Sequence, residues 1–372
     1  MRFIIWFLVF SIFCYANGPE KVATFDRALW PYPIHSKSAF DDASRHEIIS
    51  YVHQINSINL SNIPSIIEFT SIKNINPASV AKWLTFTQNN LVNNFKQAQK
   101  SCKDTQELCQ NVNNWHELST LSAHYKPNQM LAPWYTASQT FFSYYLYEQV
   151  RLAALFPRIT SEIDTLDERE VQGFDYLDGQ FLLTFDDGPK YSQTPQVAEK
   201  LRKLSINGIF FVLGENLEGA LKTHGVNNLK QLYEGMCVGS HGYIHKPHPK
   251  LENWSELYDK TRSMITDNQL QGTSKNHIWF RPPYGQRQQE LVNRLWSLGD
   301  KVMLWNIDSQ DWNQKLTTKQ VQDRTITLML LHRKGIILFH DVHPKAAIVI
   351  EELDSFHRDQ ITSWINCKKI EK

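Results

Sequence analysis

The chain has 372 residues, which is enough for one large domain or two ordinary ones. Hydrophobic residues make up 42% of it and aromatic residues 12%, so it can fill a core and still offer rings to a binding surface. Its net charge is only +1, which gives no electrostatic case for a nucleic-acid partner or for an anionic membrane surface.

The N-terminal stretch MRFIIWFLVFSIFCYANG has one early cation, Arg2, and an apolar run from Phe3 to Phe13. The run is too short to cross a bilayer as a stable helix. Small residues at the positions that a signal peptidase reads predict cleavage after Ala16. We therefore expect a signal peptide over residues 1–16, export to the periplasm or the cell surface, and no membrane span after cleavage. A lipoprotein signal ending at Cys14 fits less well, and a retained N-terminal anchor is the alternative.

From about Phe40 to Phe156 the pattern favours helices. Apolar residues recur at three- and four-residue spacing in SVAKWLTFTQNNLVNNFKQAQ and TASQTFFSYYLYEQVRLAALF. Trp134 and Tyr135 could contact a sugar, but aromatic residues at helical spacing usually pack in a core. Residues 17–170 are thus predicted to form a mainly helical region without a catalytic constellation, and its role stays open.

Four cysteines follow the predicted signal peptide. In an oxidising compartment, Cys102 and Cys109 are close enough in sequence to close a small loop, and we expect them to be joined. Cys237 sits in an apolar run. It fits either a buried thiol or a partner for Cys367, and the sequence does not decide between them.

From about Gly179 short apolar runs alternate with helical segments. The runs that indicate buried strands are FLLTF, GIFFVL, MCVGS, HIWF, VMLWNI and GIILF. The segments with helical spacing are TPQVAEKLRKL, WSELYDKTRSMI, QQELVNRLWSL and TTKQVQDRTITLMLL. This alternation predicts an α/β fold over residues 171–372, with a parallel sheet that is either open or closed as a barrel. In a barrel, functional side chains come from the carboxyl ends of the strands.

Ionisable side chains follow five of these predicted strands at the point where each strand ends. Asp186 and Asp187 come directly after FLLTF, although the sequence DDGP alone is typical of a turn. The other four ends carry His241 and His245, Arg281 and Tyr284, Asp308 and Asp311, and His340 and Asp341. Such regularity favours one shared functional site over a coincidence of surface charge.

These residue types fit metal-assisted hydrolysis. Two imidazoles four residues apart and a carboxylate form a facial set for a divalent metal and leave positions open for water. Zinc lowers the pKa of bound water to about 7, which makes a nucleophile near neutral pH. One aspartate of the doublet can hold the metal while its neighbour takes the proton of the water. Together with a histidine as the general acid, these metal ligands and this base predict hydrolysis of an amide or an ester.

The motifs TFDDGP, SHGYIH, RPPYG, DSQDW and LFH, in this order, resemble the five motifs of the polysaccharide deacetylases, the NodB-homology group of carbohydrate esterase family 4. The segment INGIFFVLGENL is also similar to that family. The resemblance covers residues 177–344 and does not extend to the helical region. It implies a distorted (β/α) barrel and a hydrolase that removes N-acetyl groups from a peptidoglycan- or chitin-like glycan.

The resemblance also implies roles for the residues that match the family motifs. Asp187, His241 and His245 would hold a divalent metal, with zinc as the first choice and cobalt as the second. Asp186 would be the general base. Arg281 would keep that carboxylate ionised and oriented through a charge-assisted hydrogen bond.

The remaining implied roles concern the leaving group and the acetyl pocket. The backbone N–H of Tyr284 would stabilise the tetrahedral oxyanion together with the metal. His340 would be the general acid, with its pKa raised by Asp311. Trp312 and Leu338 would form the walls around the acetyl methyl group.

One position departs from the family pattern. Gly242 stands where the family usually has a serine or threonine, so the loop that carries the two histidines is expected to be less well braced. His248 could be mistaken for a ligand, but a position at the rim of the site is expected. The alternatives for function are an esterase for O-acetylated polysaccharide and a non-catalytic glycan-binding protein, although a binder needs none of these groups.

Overall fold

The computed structural model describes residues 22–102, 107–272 and 277–370. The predicted signal peptide at residues 1–16 lies outside these residues. No helix in the described ranges is long and apolar enough to cross a membrane.

The N-terminal region is helical, as its sequence periodicity predicts. Its helices are α1 (Lys37–Asn56), α2 (Ile63–Thr70), α3 (Pro77–Gln99), α4 (Trp115–His124) and α5 (Ala132–Leu155). Four of them begin at a serine or asparagine whose side chain accepts a hydrogen bond from a backbone N–H of the first turn. Helix α1 packs against α3, α4 and α5. Trp134 is completely buried among these helices, so the predicted core position of this residue is confirmed.

The second part of the chain forms one parallel sheet of eight strands. They are β1 (Gln180–Asp186), β2 (Gly208–Val212), β3 (Cys237–Ser240), β4 (Trp279–Phe280), β5 (Lys301–Val302), β6 (Ile307–Asp308), β7 (Gly335–His340) and β8 (Ser363–Trp364). The spatial order is β5-β4-β3-β2-β1-β7-β6, and β8 pairs with β1. The strand pairings among the described residues are all parallel, which confirms the predicted α/β class with a distorted (β/α) barrel.

One predicted strand is divided in the structure. The run VMLWNI was expected to be a single strand, but β5 ends at Val302 and β6 begins at Ile307. These two short strands lie at opposite edges of the sheet, so residues 303–306 cross from one edge to the other. The sheet therefore curls into a barrel that is not closed by hydrogen bonds between β5 and β6. The sequence does not reveal this break, because Met303, Leu304 and Trp305 are apolar and buried although they lie between the two strands.

The helices between the strands are α6 (Thr194–Lys203), α7 (Gly214–Leu232), α8 (Trp254–Asp267), α9 (Gln289–Ser297), α10 (Thr318–His332) and α11 (Lys345–Arg358). The sequence patterns predict α6, α8, α9 and α10. They miss α7 and α11. Helix α7 is interrupted by Gly225 at a φ of 76°, which explains its weak periodicity. Helix α11 is held by packing against α6 and α10.

Buried ion pairs join the helical region to the barrel. Arg333, at the end of α10, contacts Asp41 of α1 at 2.6 Å, and both side chains are almost completely buried. Arg324 of α10 contacts Glu148 of α5 at 2.7 Å. Removing one member of a buried pair leaves an uncompensated charge, so these contacts fix how the two parts pack.

Both pairs of cysteines are joined in the structure. The disulfide between Cys102 and Cys109 confirms the predicted pairing. The disulfide between Cys237 and Cys367 decides the alternative that the sequence leaves open, and it ties β3 to the C-terminal end of the chain.

Candidate active site

The aspartate doublet lies where β1 ends, and its two side chains have different surroundings. The register pairs Asp186 with His340 of β7, so the base and acid expected from the sequence end neighbouring strands. Asp186 is 2% exposed. Asp187 adopts a left-handed φ of 79°, which turns its side chain away from the strand direction. Its backbone N–H donates to the carbonyl of Phe211 at 3.2 Å, which fixes the turn.

Asp187, His241 and His245 form a candidate metal centre. The distance from Asp187 Oδ1 is 3.5 Å to His241 Nε2 and 3.6 Å to His245 Nε2, and all three ligand atoms lie within 4.8 Å of one another. Asp187 Oδ1 is buried and has no hydrogen-bond partner among the described residues. A buried carboxylate oxygen without a partner beside two imidazoles fits the ligand set of a cation.

The protonation of His241 also fits a metal ligand. Its Nδ1 lies 2.7 Å from the carbonyl of Arg281, and because a carbonyl only accepts, Nδ1 carries the proton. Nε2 is then the unprotonated nitrogen that faces Asp187. Burial lowers the pKa of the His241 imidazole to about 3, so the ring is neutral at physiological pH.

The loop that carries both histidines is braced despite the glycine at position 242. Gly242 has a φ of 82°, a conformation that side chains other than glycine rarely adopt. Its N–H donates to Ser240 Oγ at 3.2 Å, and its carbonyl accepts from Gly214 at 2.9 Å. Ser240, two residues earlier, thus contributes a hydroxyl contact to the loop. The effect of the side chain that is missing at Gly242 stays a prediction.

Arg281 is fully buried beneath the doublet and is fixed by four hydrogen bonds. It donates to Asp186 Oδ1 at 2.9 Å and to Thr184 Oγ1 at 2.8 Å, and also to the carbonyls of Met303 and Leu304. Burial raises the pKa of the Asp186 carboxyl, and the Arg281 charge opposes part of that rise. The Asp186 carboxylate is therefore more basic than usual and stays ion-paired with Arg281.

His340 and Asp311 form a second hydrogen-bonded pair at the same edge. His340 Nδ1 lies 2.8 Å from Asp311 Oδ1, and the backbone N–H of His340 donates to Asp311 Oδ2 at 2.9 Å. Burial alone would lower the pKa of the imidazole, but the Asp311 carboxylate outweighs it, and the pKa rises to about 10. His340 is therefore protonated at neutral pH, with Nε2 as its second donor.

The three predicted substrate-contacting residues line the same cavity as the candidate metal centre. Tyr284 has a left-handed φ of 59° and places its ring centroid 4.5 Å from that of His245. Tyr284 and Trp312 are both about two-fifths exposed, whereas Leu338 is 4% exposed. All three line one cavity together with Asp186, Asp187, His241, His245 and His340.

His248 does not lie at the rim of this site. It is 4% exposed, and its ring packs against Trp254 at a centroid distance of 4.6 Å. It is not one of the residues that line the cavity. His248 lies outside the candidate metal centre. The expected rim position is wrong because the residue is buried against Trp254.

Comparison with known proteins identifies the family. The polysaccharide deacetylase model matches residues 177–303. Chitin deacetylase 1 of Saccharomyces cerevisiae is 31% identical over 221 residues, which cover 55% of this chain and 67% of that protein. The chain belongs to the polysaccharide deacetylase family.

Other deacetylases are also similar to part of this chain. Peptidoglycan-N-acetylglucosamine deacetylase PgdA of Listeria monocytogenes is 31% identical over 175 residues, covering 45% of this chain. The match covers 34% of PgdA, so the chain spans about a third of that relative's length. The crystal structure of a peptidoglycan N-acetylglucosamine deacetylase aligns with a TM-score of 0.46 at 22% identity, covering 53% of this chain and 90% of that structure.

The polysaccharide deacetylase model does not cover the helical region, yet this region forms one wall of the cavity. The cavity has a volume of about 820 Å³, at the upper end of the roughly 300–1,000 Å³ of sites for drug-sized ligands. Side chains of α1, α3 and α5 line it, among them Trp83, Phe86, Asn90 and Leu152. Sequence reasoning missed these residues. The available signal was the spacing of Trp83, Phe86 and Asn90 along one face of α3.

Proposed function

We propose that this protein is a metal-dependent hydrolase that removes N-acetyl groups from a polysaccharide or oligosaccharide containing N-acetylhexosamine. One observation carries the proposal: a three-ligand metal centre lies beside a basic carboxylate and a protonated imidazole in one cavity. The named relatives act on peptidoglycan and chitin, which both contain such sugars.

The residues of the metal centre fit a divalent ion. Two imidazoles and one carboxylate are donors that zinc accepts, and cobalt is the second choice. When bound, the ion would supply a Lewis acid that polarises the acetyl carbonyl and makes water more acidic. Asp187, His241 and His245 would hold it, which leaves Asp186 free for proton transfer.

Proton transfer by the chain's own groups would follow from their positions. Asp186 would accept the proton of the attacking water, and Arg281 would keep the carboxylate in place. The backbone N–H of Tyr284 would donate to the developing oxyanion. His340 would donate the proton at Nε2 to the departing amine, while Asp311 stabilises the imidazolium. Trp312 and Leu338 would contact the acetyl methyl group.

Removal of the metal should abolish turnover. A strong chelator is expected to inactivate the enzyme on N-acetylglucosamine oligomers, and added zinc or cobalt should restore activity because the three ligands remain in place. Elemental analysis before and after chelation gives the metal content alongside the rate. Full turnover by a protein shown to be metal-free would contradict the proposal.

The choice between amide and ester hydrolysis is tested with matched substrates. Chitooligosaccharides and peptidoglycan fragments would be compared with O-acetylated xylooligosaccharides, with acetate release as the common readout. The proposal expects faster release from the N-acetylated sugars. Release from the O-acetylated sugars alone would indicate an esterase, and release from none of them would favour a glycan-binding protein.

We also propose that the protein works outside the cytoplasm, in the periplasm or at the cell surface. Two disulfides support this, because disulfides persist in oxidising compartments. Mass spectrometry of protein isolated from its own cells, with free thiols blocked at lysis, should show both disulfides. Free thiols at all four positions would contradict this location.

A further inference from the structure

A buried carboxyl group that the proposed chemistry does not use lies behind the aspartate doublet. Asp341 follows His340 in the sequence, but its side chain is completely buried and is not among those that line the cavity. Its Oδ2 accepts a hydrogen bond from Thr194 Oγ1 at 2.6 Å. Thr194 is also completely buried and is the first residue of α6. Burial of a carboxylate costs free energy, which raises the question of what this contact holds in place.

The turn that follows the doublet packs around this carboxyl group. The backbone N–H of Lys190 donates to Thr194 Oγ1 at 2.8 Å, so the hydroxyl accepts on that side and its own proton remains for Asp341. Gly188 lies directly against the carboxyl group, since a methyl group on its Cα would overlap Asp341 Oδ2. The backbone N–H of Asp341 also donates to the carbonyl of Asp186 at 3.3 Å. The turn is thus in contact with one buried acceptor along most of its length.

The candidate metal ligand Asp187 lies inside this turn and depends on its surroundings. Its φ of 79° is a conformation that residues other than glycine rarely adopt, and such a conformation persists only where neighbouring groups hold it. Asn216 Nδ2 donates to the carbonyl of Asp187 at 2.7 Å, and the backbone N–H of Leu213 donates to the carbonyl of Gly188 at 3.0 Å. These two contacts come from the chain after β2, whereas the buried carboxyl contact comes from the end of β7 and from α6.

We propose that the hydrogen bond between Thr194 and Asp341 positions Asp187 as a metal ligand. This inference rests on the proposed function, because it assumes that Asp187 holds the metal together with the two histidines. Thr194 and Asp341 contact neither the metal-ligand atoms nor the cavity, so they are positioning residues that act through the backbone of the turn. Groups that orient a metal ligand typically contribute about 10–100-fold to metal affinity.

The zinc affinity of Thr194 variants tests the proposal. Thr194→Val keeps the shape of the side chain but removes the hydroxyl, so Asp341 Oδ2 and the N–H of Lys190 both lose their partner. The Kd for zinc, measured by competition with a chromophoric chelator, should rise about tenfold. Thr194→Ser keeps the hydroxyl and should bind zinc as the wild type does. Turnover by Thr194→Val should fall at limiting zinc and recover at saturating zinc, because the groups that transfer protons are unchanged.

Thr325→Val is the matched control, because it makes the same change at another buried threonine. Thr325 is completely buried, but its hydroxyl donates to the carbonyl of Val321 within α10 and it does not line the cavity. Each valine variant removes one buried hydrogen bond, so the melting temperatures of the zinc-free proteins report the loss of stability alone. The Kd for zinc should stay at the wild-type value in Thr325→Val.

The contrary results are distinct for this proposal and for the proposed function. An unchanged Kd for zinc in Thr194→Val, with a lower melting temperature, would show that the hydrogen bond is structural only and would overturn the proposal. An equal rise of the Kd in Thr194→Ser would overturn it too, since the hydroxyl would then not matter. Both results would leave the proposed function standing. A wild-type protein that binds no zinc would contradict the metal centre itself and this proposal with it. Thr194→Ala removes the same hydroxyl and should reproduce the rise seen in Thr194→Val.

Discussion

Asp186→Asn is expected to lower the turnover number on an N-acetylglucosamine oligomer by about a hundredfold or more, the usual loss when a general base is removed. The amide cannot accept a proton from water at neutral pH. Metal content should stay near that of the wild type, because the three ligand atoms belong to Asp187, His241 and His245. Steady-state kinetics with saturating zinc and elemental analysis of the same sample check both statements.

Asp187→Asn is the matched control, since it makes the same chemical change one residue away. It should weaken metal affinity first, and excess zinc should recover part of its activity. The Asp186 variant should not respond to zinc. The free energy of unfolding of the Asp186→Asn variant should also fall by about 3 kcal/mol or more, because the buried Arg281 charge loses its counter-charge. Assays therefore belong well below its melting temperature. Exchanged phenotypes for the two variants would show that the roles of the doublet are reversed.

His340→Ala is expected to slow release of acetate from an N-acetylglucosamine oligomer by about a hundredfold or more. The departing amine is a poor leaving group and needs the proton of the imidazole. Hydrolysis of an aryl acetate expels a stabilised phenolate, which needs little protonation, so the rate with this substrate should fall much less. The two substrates are compared with the same metal-loaded preparation. Equal losses on both, with metal still bound, would mean that His340 is not the acid.

The pH profile gives a second test of this pair. In the folded protein Asp311 raises the pKa of His340 to about 10, so the acid stays protonated over the neutral range. Asp311→Asn removes the negative charge, the pKa falls, and the proton is lost at lower pH. The alkaline limb of the profile of kcat against pH should therefore move to lower pH. An unmoved alkaline limb would show that another group controls it.

The sequence alone determined most of the candidate metal centre. Asp186, Asp187, His241, Arg281 and His340 could be predicted to meet because each follows an apolar strand-like run. Parallel strands bring their carboxyl ends to one edge of a sheet, so a pattern that is local in sequence implies proximity in space. The residue types at that edge then limited the chemistry to a few reactions.

Tertiary structure decided what the sequence left open around that centre. The sequence shows that position 242 is a glycine, but only the structure shows that its N–H donates to Ser240 Oγ at 3.2 Å. The break between β5 and β6 was hidden because three of the four residues between them, Met303, Leu304 and Trp305, are apolar and buried like the residues of a strand. Helices α7 and α11 were missed because packing, not strong periodicity, holds them in place.

The role of the helical region was beyond the sequence for a related physical reason. Helical periodicity shows that Trp83, Phe86 and Asn90 share a face of α3, but it does not show what that face meets. The facing residues, Trp305 and Gln310, lie more than 200 positions away in the chain. Packing of α1 and α3 against α10, together with the buried ion pairs, brings the two parts together, and this face of α3 then becomes one wall of the cavity.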